Sequence, residues 1–172
     1  MSDLQRPDDW ELPVALPQLQ PPARIVVGFD GSHAAETALS WAEVLASVSG
    51  AEIIVVVAFE APLTKRGRGA TYVETLRREL RAEATELAEE ATTLLLGRGR
   101  DARAVVIQGE PAAAIIDVVE DEEADLVVLG RRGLASELSG LSGAVERLRV
   151  HLGGSVAERI AQLDGLNVLV VG

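Results

Sequence analysis

The chain predicts an α/β fold: an open five-stranded parallel sheet with helices on both faces. Two observations carry this. Its β-runs are continuously apolar, as in Ile53–Val57 and Leu126–Leu129, and a strand reads that way when both of its faces are covered. Stretches with helical periodicity also separate one run from the next, and strict strand–helix alternation implies parallel strands joined by crossover helices.

Residues 1–22 hold five of the seven prolines, carry no sustained periodicity and read as an extended or disordered arm; Trp10 and Leu12 are candidates to dock on the domain that follows, from residue 23 to 172. Ile25–Val27 is the first strand and ends in Gly28-Phe29-Asp30-Gly31-Ser32, where Ser32 suits a helix N-cap. The next helix places Ala35, Ala38, Leu39, Ala42, Leu45 and Ala46 on one stripe and stops near Gly50. Ile53–Val57 is the second strand, and Ala58 and Phe59 continue it to the carboxyl edge of the sheet. After a basic loop over 60–70, a long helix runs from about Thr71 to Leu96. Val73, Leu76, Leu80, Ala84, Leu87, Ala91 and Leu94 form its apolar face, and a solvated face mixes arginine with glutamate. The third strand is Ala102–Ile107; Pro111 suits the first position of the helix after it. Asp125–Leu129 is the fourth strand and Asn167–Val171 the last.

Composition narrows the function. The 172 residues, 48% hydrophobic, are enough for one domain with a substantial core. With no cysteine, the chain has no disulfide framework, thiol nucleophile or cysteine metal site. No apolar run approaches a membrane span and the N-terminus lacks a signal-peptide pattern, so the expectation is a cytoplasmic protein without a membrane partner. A formal charge of −11 opposes nucleic acid as a partner, because a phosphate backbone would be repelled.

The chemistry gathers where the fourth strand ends. Leu129-Gly130-Arg131-Arg132-Gly133 follows that strand, and Gly153-Gly154-Ser155-Val156 opens a later helix with Ser155 and Glu158 at capping-box spacing. A strand, a glycine loop and a helix N-terminus together offer free amides and a favourable dipole to an anion. Asp30, Ala58 and Gly130 all fall at strand carboxyl ends, where sheets of this kind bind ligands. The ordered set IVVGFDGS (25–32), Gly109-Glu110-Pro111, ADLVVLGRRG (124–133), Gly154–Glu158 and Asn167–Val171 resembles the universal stress protein family over residues 23–172. The resemblance implies a strand order of 3-2-1-4-5 in a Rossmann-like, adenine nucleotide alpha hydrolase-like fold. It further implies homodimers, here through the 167–171 edge strand, and in one branch ATP bound through Gly-x2-Gly-x9-Gly-(Ser/Thr). Carried over by position, it places Asp30 near ribose and any Mg²⁺, Gly28 and Phe29 along the nucleotide, and Ala58 against adenine. Leu129, Gly130 and Gly133 match the first half of the phosphate motif and Gly154, Ser155 and Val156 the second, with Arg132 in the loop facing phosphate.

One departure stands out. Twenty residues separate Gly133 from Gly154 where the motif has nine. A rival register pairs Gly133 with Gly143 at nine-residue spacing, but Ala144 then replaces the hydroxyl; the Gly154-Ser155 register is preferred because it keeps both hydroxyl and capping box. Within the insertion, about 134–153, Leu138, Leu141, Val145, Leu148 and Leu152 recur as an amphipathic helix, expected as a flap over the cleft or a subunit contact. Catalysis has little support: His33 and His151 lack metal-ligand spacing, and the Walker, Rossmann and nucleophile-elbow fingerprints are absent. The leading expectation is a non-enzymatic protein that binds ATP, or AMP or ADP, as a stress-response regulator. A nucleotide-free interaction module and a weak ATPase are the alternatives.

Overall fold

The computed structural model describes residues 20–62, 70–131, 156–162 and 166–172. The chain runs β1 (Arg24–Gly28), α1 (His33–Ser49), β2 (Glu52–Phe59), α2 (Ala70–Gly97), β3 (Ala102–Gln108), α3 (Pro111–Asp121), β4 (Leu126–Gly130), α4 (Val156–Ala161) and β5 (Val168–Val171). All four pairings are parallel and the strand order is β3-β2-β1-β4-β5, as expected.

The two-sided burial that predicted a central sheet is present. Ile53 to Val57 are all buried, and alternate residues feed opposite layers. Ile25, Val27, Ile53 and Val55 pack with α1 and α2, whereas Val26, Ile54 and Val56 pack with α3 and α4. Truncating a side chain such as Ile54, which is fully buried, to alanine would cost about 2–5 kcal/mol.

The helix ends follow local chemistry. Ser32, itself buried, accepts the Ala35 N–H at 3.1 Å as the N-cap of α1. Gly50 closes α1 in the left-handed conformation, φ 76°, and its N–H reaches the Ala46 carbonyl. Pro111 stands in the first turn of α3, but the cap is one the sequence did not announce. The Glu110 carboxylate accepts both the Ala112 and Ala113 N–H groups at 3.1 Å.

The long helix α2 corrects one expectation. Its buried row is Ala84, Ala88, Ala91 and Leu95, while Leu94 is 48% exposed. Three alanines let the helix lie close on β2 and β3, and the row they define continues at i+4 to Leu95. Among the described residues no helix is long and apolar enough to cross a membrane.

Candidate functional site

The strand order places β1 beside β4, and the chain reverses its direction of growth between them. In open sheets of this kind, ligands bind beyond the strand carboxyl ends at such a switch point. The register sets Val27 against Val128, so Gly28 and Leu129 stand level, and Gly28 also pairs with Val56 on the other side. Ala58 lies two residues further along β2. Gly28, Phe29, Asp30, Ala58, Leu129 and Gly130 therefore converge on one end of three adjacent strands.

Each residue reaches that rim for a reason. The Phe29 N–H donates to the Val56 carbonyl at 2.9 Å, which carries the ladder one step past β1, and its ring packs on the α1–α2 layer. Asp30 then turns the chain: its Oδ1 accepts the Ser32 N–H at 3.1 Å, leaving an exposed carboxylate beyond the strand. Gly31 completes the turn at φ 75°, a conformation that disfavours side chains, and a Cβ there would lie 3.3 Å from Leu87 Cδ1.

The two strand-end glycines answer to helices. A Cβ on Gly130 would sit 2.7–2.8 Å from the backbone carbon, oxygen and Cβ of Ala34, so α1 rests directly on the end of β4. A Cβ on Gly28 would meet Ile115 Cδ1 at 2.7 Å and Leu129 Cδ2 at 2.8 Å, so α3 closes that side. Leu129 is 3% exposed, and its side chain is core; any part it plays toward a ligand is through its backbone. The Arg131 N–H is taken by the Val171 carbonyl at 2.7 Å.

The second half of the motif is described only from Val156, the first residue of α4, whose side chain packs on the α3 layer. Arg132, Gly133, Gly154, Ser155 and the insertion at 134–153 lie outside the described residues. Two contacts that the sequence reading missed support the frame. Glu110 pairs with Arg159 at 2.7 Å and so ties the start of α3 to α4. Burial works against ionisation of Glu110, but the Ala112 and Ala113 amides and Arg159 outweigh it and hold the carboxyl below the usual carboxylate range. At the opposite end of the sheet, Asp125 Oδ2 accepts the Arg24 and Ala23 N–H groups at 2.9 and 2.8 Å, which lowers its pKa and anchors the start of β1 to β4. Neither contact was legible in the sequence, because glutamate is not among the usual N-cap residues and Asp125 reads there only as the first residue of the fourth strand.

A groove of about 410 Å³ runs between α1 and α2, floored by Leu39, Leu87 and Leu95. It reaches the loop after β1 at Phe29 and Gly31, and its walls carry Glu36, Glu43 and Glu90 against Arg98, a net negative lining that disfavours phosphate. His33 is exposed, 3.4 Å from Glu36, in the first turn of α1. Among the described residues no group of three His, Cys, Asp or Glu side chains is placed to hold a metal ion.

A model of the universal stress protein family matches residues 22–172. The chain belongs to that family. Universal stress protein YxiE of Bacillus subtilis (strain 168) is 30% identical over 155 residues, covering 86% of this chain and 97% of its own. The family fold is shared with universal stress protein UspA from Lactobacillus plantarum at a TM-score of 0.68 and 20% identity, over 87% of this chain and 97% of that one. A universal stress protein solved in complex with cAMP aligns at a TM-score of 0.60 and 26% identity, over 88% of this chain and 98% of the other.

Proposed function

We propose that this universal stress protein binds an adenine nucleotide beyond the carboxyl ends of β1, β2 and β4 and serves as a nucleotide-dependent regulator of a stress response, not as an enzyme. The observation that carries the reading is the Asp30 turn: an exposed carboxylate fixed at the end of β1, beside β4, at the switch point. The cAMP complex of a family member shows that the fold takes an adenine nucleotide in that protein. In this chain Asp30 would accept hydrogen bonds from the ribose hydroxyls, and the backbone at Ala58 would border adenine. The amides of Gly130, Gly133, Gly154 and Ser155, with Arg132, would face the phosphates. ATP is the expected ligand, with AMP and ADP as shorter alternatives.

Among the described residues no group of three His, Cys, Asp or Glu side chains surrounds Asp30, which fits a Mg²⁺ carried in on the phosphates better than a resident metal. Mg²⁺ keeps most of its waters and takes one or two protein carboxylates alongside phosphate oxygens. The chain's negative charge makes such a cation useful, since it lowers the repulsion of the phosphates.

Mass spectrometry of small molecules released from freshly purified, denatured protein tests the proposal. An adenine nucleotide near one per chain is expected, with calorimetric binding of ATP to emptied protein. Asp30→Ala should weaken that binding by about 1.5–3 kcal/mol, the worth of hydrogen bonds to a charged group. Finding no nucleotide, and no binding of ATP, ADP or AMP at millimolar concentration, would leave the interaction-module reading in its place.

A further inference from the structure

The outward face of α1 is unlike the surface of the other long helix. Trp41, Val44 and Val48 are 48%, 55% and 87% exposed, at i, i+3 and i+7. Glu43 is the only charged residue from 37 to 48, and it pairs with Arg98 across the groove toward α2. The outer surface of α1 thus runs more than three turns without a charge, in a chain that is 25% charged. The outside of α2, in contrast, carries Arg78, Glu79, Glu83, Glu86 and Glu90. An exposed, uncharged tryptophan–valine stripe is a surface made to be covered.

We infer that the chain's own residues 10–16 cover this stripe. The N-terminal arm, whose residues 1–19 lie outside the described residues, has a root that is fixed next to it. The Ala23 carbonyl accepts the Glu52 N–H at 2.9 Å, and the Ala23 N–H is held by Asp125, so the arm leaves the fold close to Gly50, where α1 ends. Val48 stands two residues before that end. Traced back from the root, Leu16, Val14, Leu12 and Trp10 alternate with Ala15, Pro13 and Glu11. Within an arm that has no sustained periodicity, these seven residues, if extended, have one wholly apolar side, and proline is compatible with an extended backbone.

The lengths agree. Leu16 to Leu12 spans about 13 Å when extended at ~3.3 Å per residue. Val48 to Trp41 spans about 10 Å along a helix at ~1.5 Å per residue. The seven residues from Ala23 back to Leu16 reach up to about 23 Å. Leu16 therefore meets Val48, Val14 meets Val44 and Leu12 meets Trp41, with Glu11, Pro13 and Pro17 turned to water.

Because the chain has no cysteine, the pairing is open to a clean test. The full-length double variant Val14→Cys/Val44→Cys should form an intramolecular disulfide under mild oxidation, read as a faster-migrating monomer. Val14→Cys/Tyr72→Cys, with Tyr72 72% exposed on α2, should not do so. Trp10 and Trp41 are the only tryptophans, so Trp10→Phe leaves Trp41 as its own reporter. Its emission should be blue-shifted and shielded from iodide, and adding Leu12→Asp and Val14→Asp in the full chain should shift it red. Disulfides between chains, cross-linking no greater than in the Tyr72 control, or Trp41 emission indifferent to the arm substitutions would each overturn the inference, the first in favour of a second copy on this face.

Discussion

Gly130 and Gly28 both look, in sequence, like glycines cleared for a ligand, yet in the fold each is required by a helix. At Gly130 the obstruction is the backbone of Ala34, which cannot rotate away. Gly130→Ala should therefore destabilise by about 1–3 kcal/mol, the scale of overpacking. At Gly28 the obstruction is the ends of the Ile115 and Leu129 side chains, which have rotamers to spare, so Gly28→Ala should cost less. Urea denaturation of the two variants checks this ordering; equal losses would mean α1 yields as readily as a leucine methyl. Asp125 gives a second prediction at this scale. Its two amide hydrogen bonds lower its folded pKa, so its contribution is complete above the unfolded aspartate value of about 4 and fades as pH falls through the lower folded value. Asp125→Asn, which keeps an acceptor but no charge, should flatten the acid side of the stability–pH curve and leave neutral pH less changed in slope. Chemical denaturation between pH 2 and 7 measures it, and parallel curves for the two proteins would remove Asp125 from the acid response.

Elements were legible where one residue type settles the matter. The β-branched run Ile53–Val57, the Ser32 cap, Gly50 and Pro111 each specified their place, because each meets a backbone demand that few residues satisfy. The register of α2 was not legible, since Leu94, Leu95 and Leu96 are consecutive and only contact of Ala84, Ala88 and Ala91 with the sheet selects Leu95. Nor was the cap of α3, because glutamate is not among the usual N-cap residues; its longer side chain reaches the same amides when Arg159 holds it. The candidate site shares this split. Asp30 could be placed from sequence because a strand end and a turn flank it, whereas the steric cause of the two glycines depends on helices distant in the chain. The Glu110 arrangement predicts an asymmetry. Glu110→Ala removes cap and ion pair together and should cost about 1 kcal/mol or more. Arg159→Ala breaks only a pair whose arginine is 40% exposed, and should cost less than about 1 kcal/mol. Thermal melts of the two single variants and the double variant would show it, and equal single losses would make the ion pair, not the cap, the source.

At the scale of the whole molecule, the sheet ends in β3 on one side and β5 on the other, and β5 is the edge suited to assembly. β5 is terminal, only four residues long, and Val168, Leu169 and Val170 are each half-buried rather than covered. An edge with open amides and apolar side chains has to be paired or shielded, and a two-fold axis beside it pairs the strand with its own copy. The ladder shows which amides point away from β4. The Val127 N–H donates to Asn167 and the Arg131 N–H to Val171, so the odd-numbered residues of β5 face β4 and the even-numbered ones, Val168 and Val170, face outward. A homodimer through residues 167–171 is accordingly expected, and it should tolerate loss of a β4 contact less than a change on the far helices. Val170→Pro makes the decisive variant: it removes an outward N–H and places a ring against the approaching strand, while the β4 ladder keeps all its donors. Light scattering at micromolar concentration should report a dimer for the wild type and a folded monomer for Val170→Pro, with circular dichroism unchanged between them. A dimer that survives this proline would move the interface off the β5 edge, to a surface such as the uncharged face of α1.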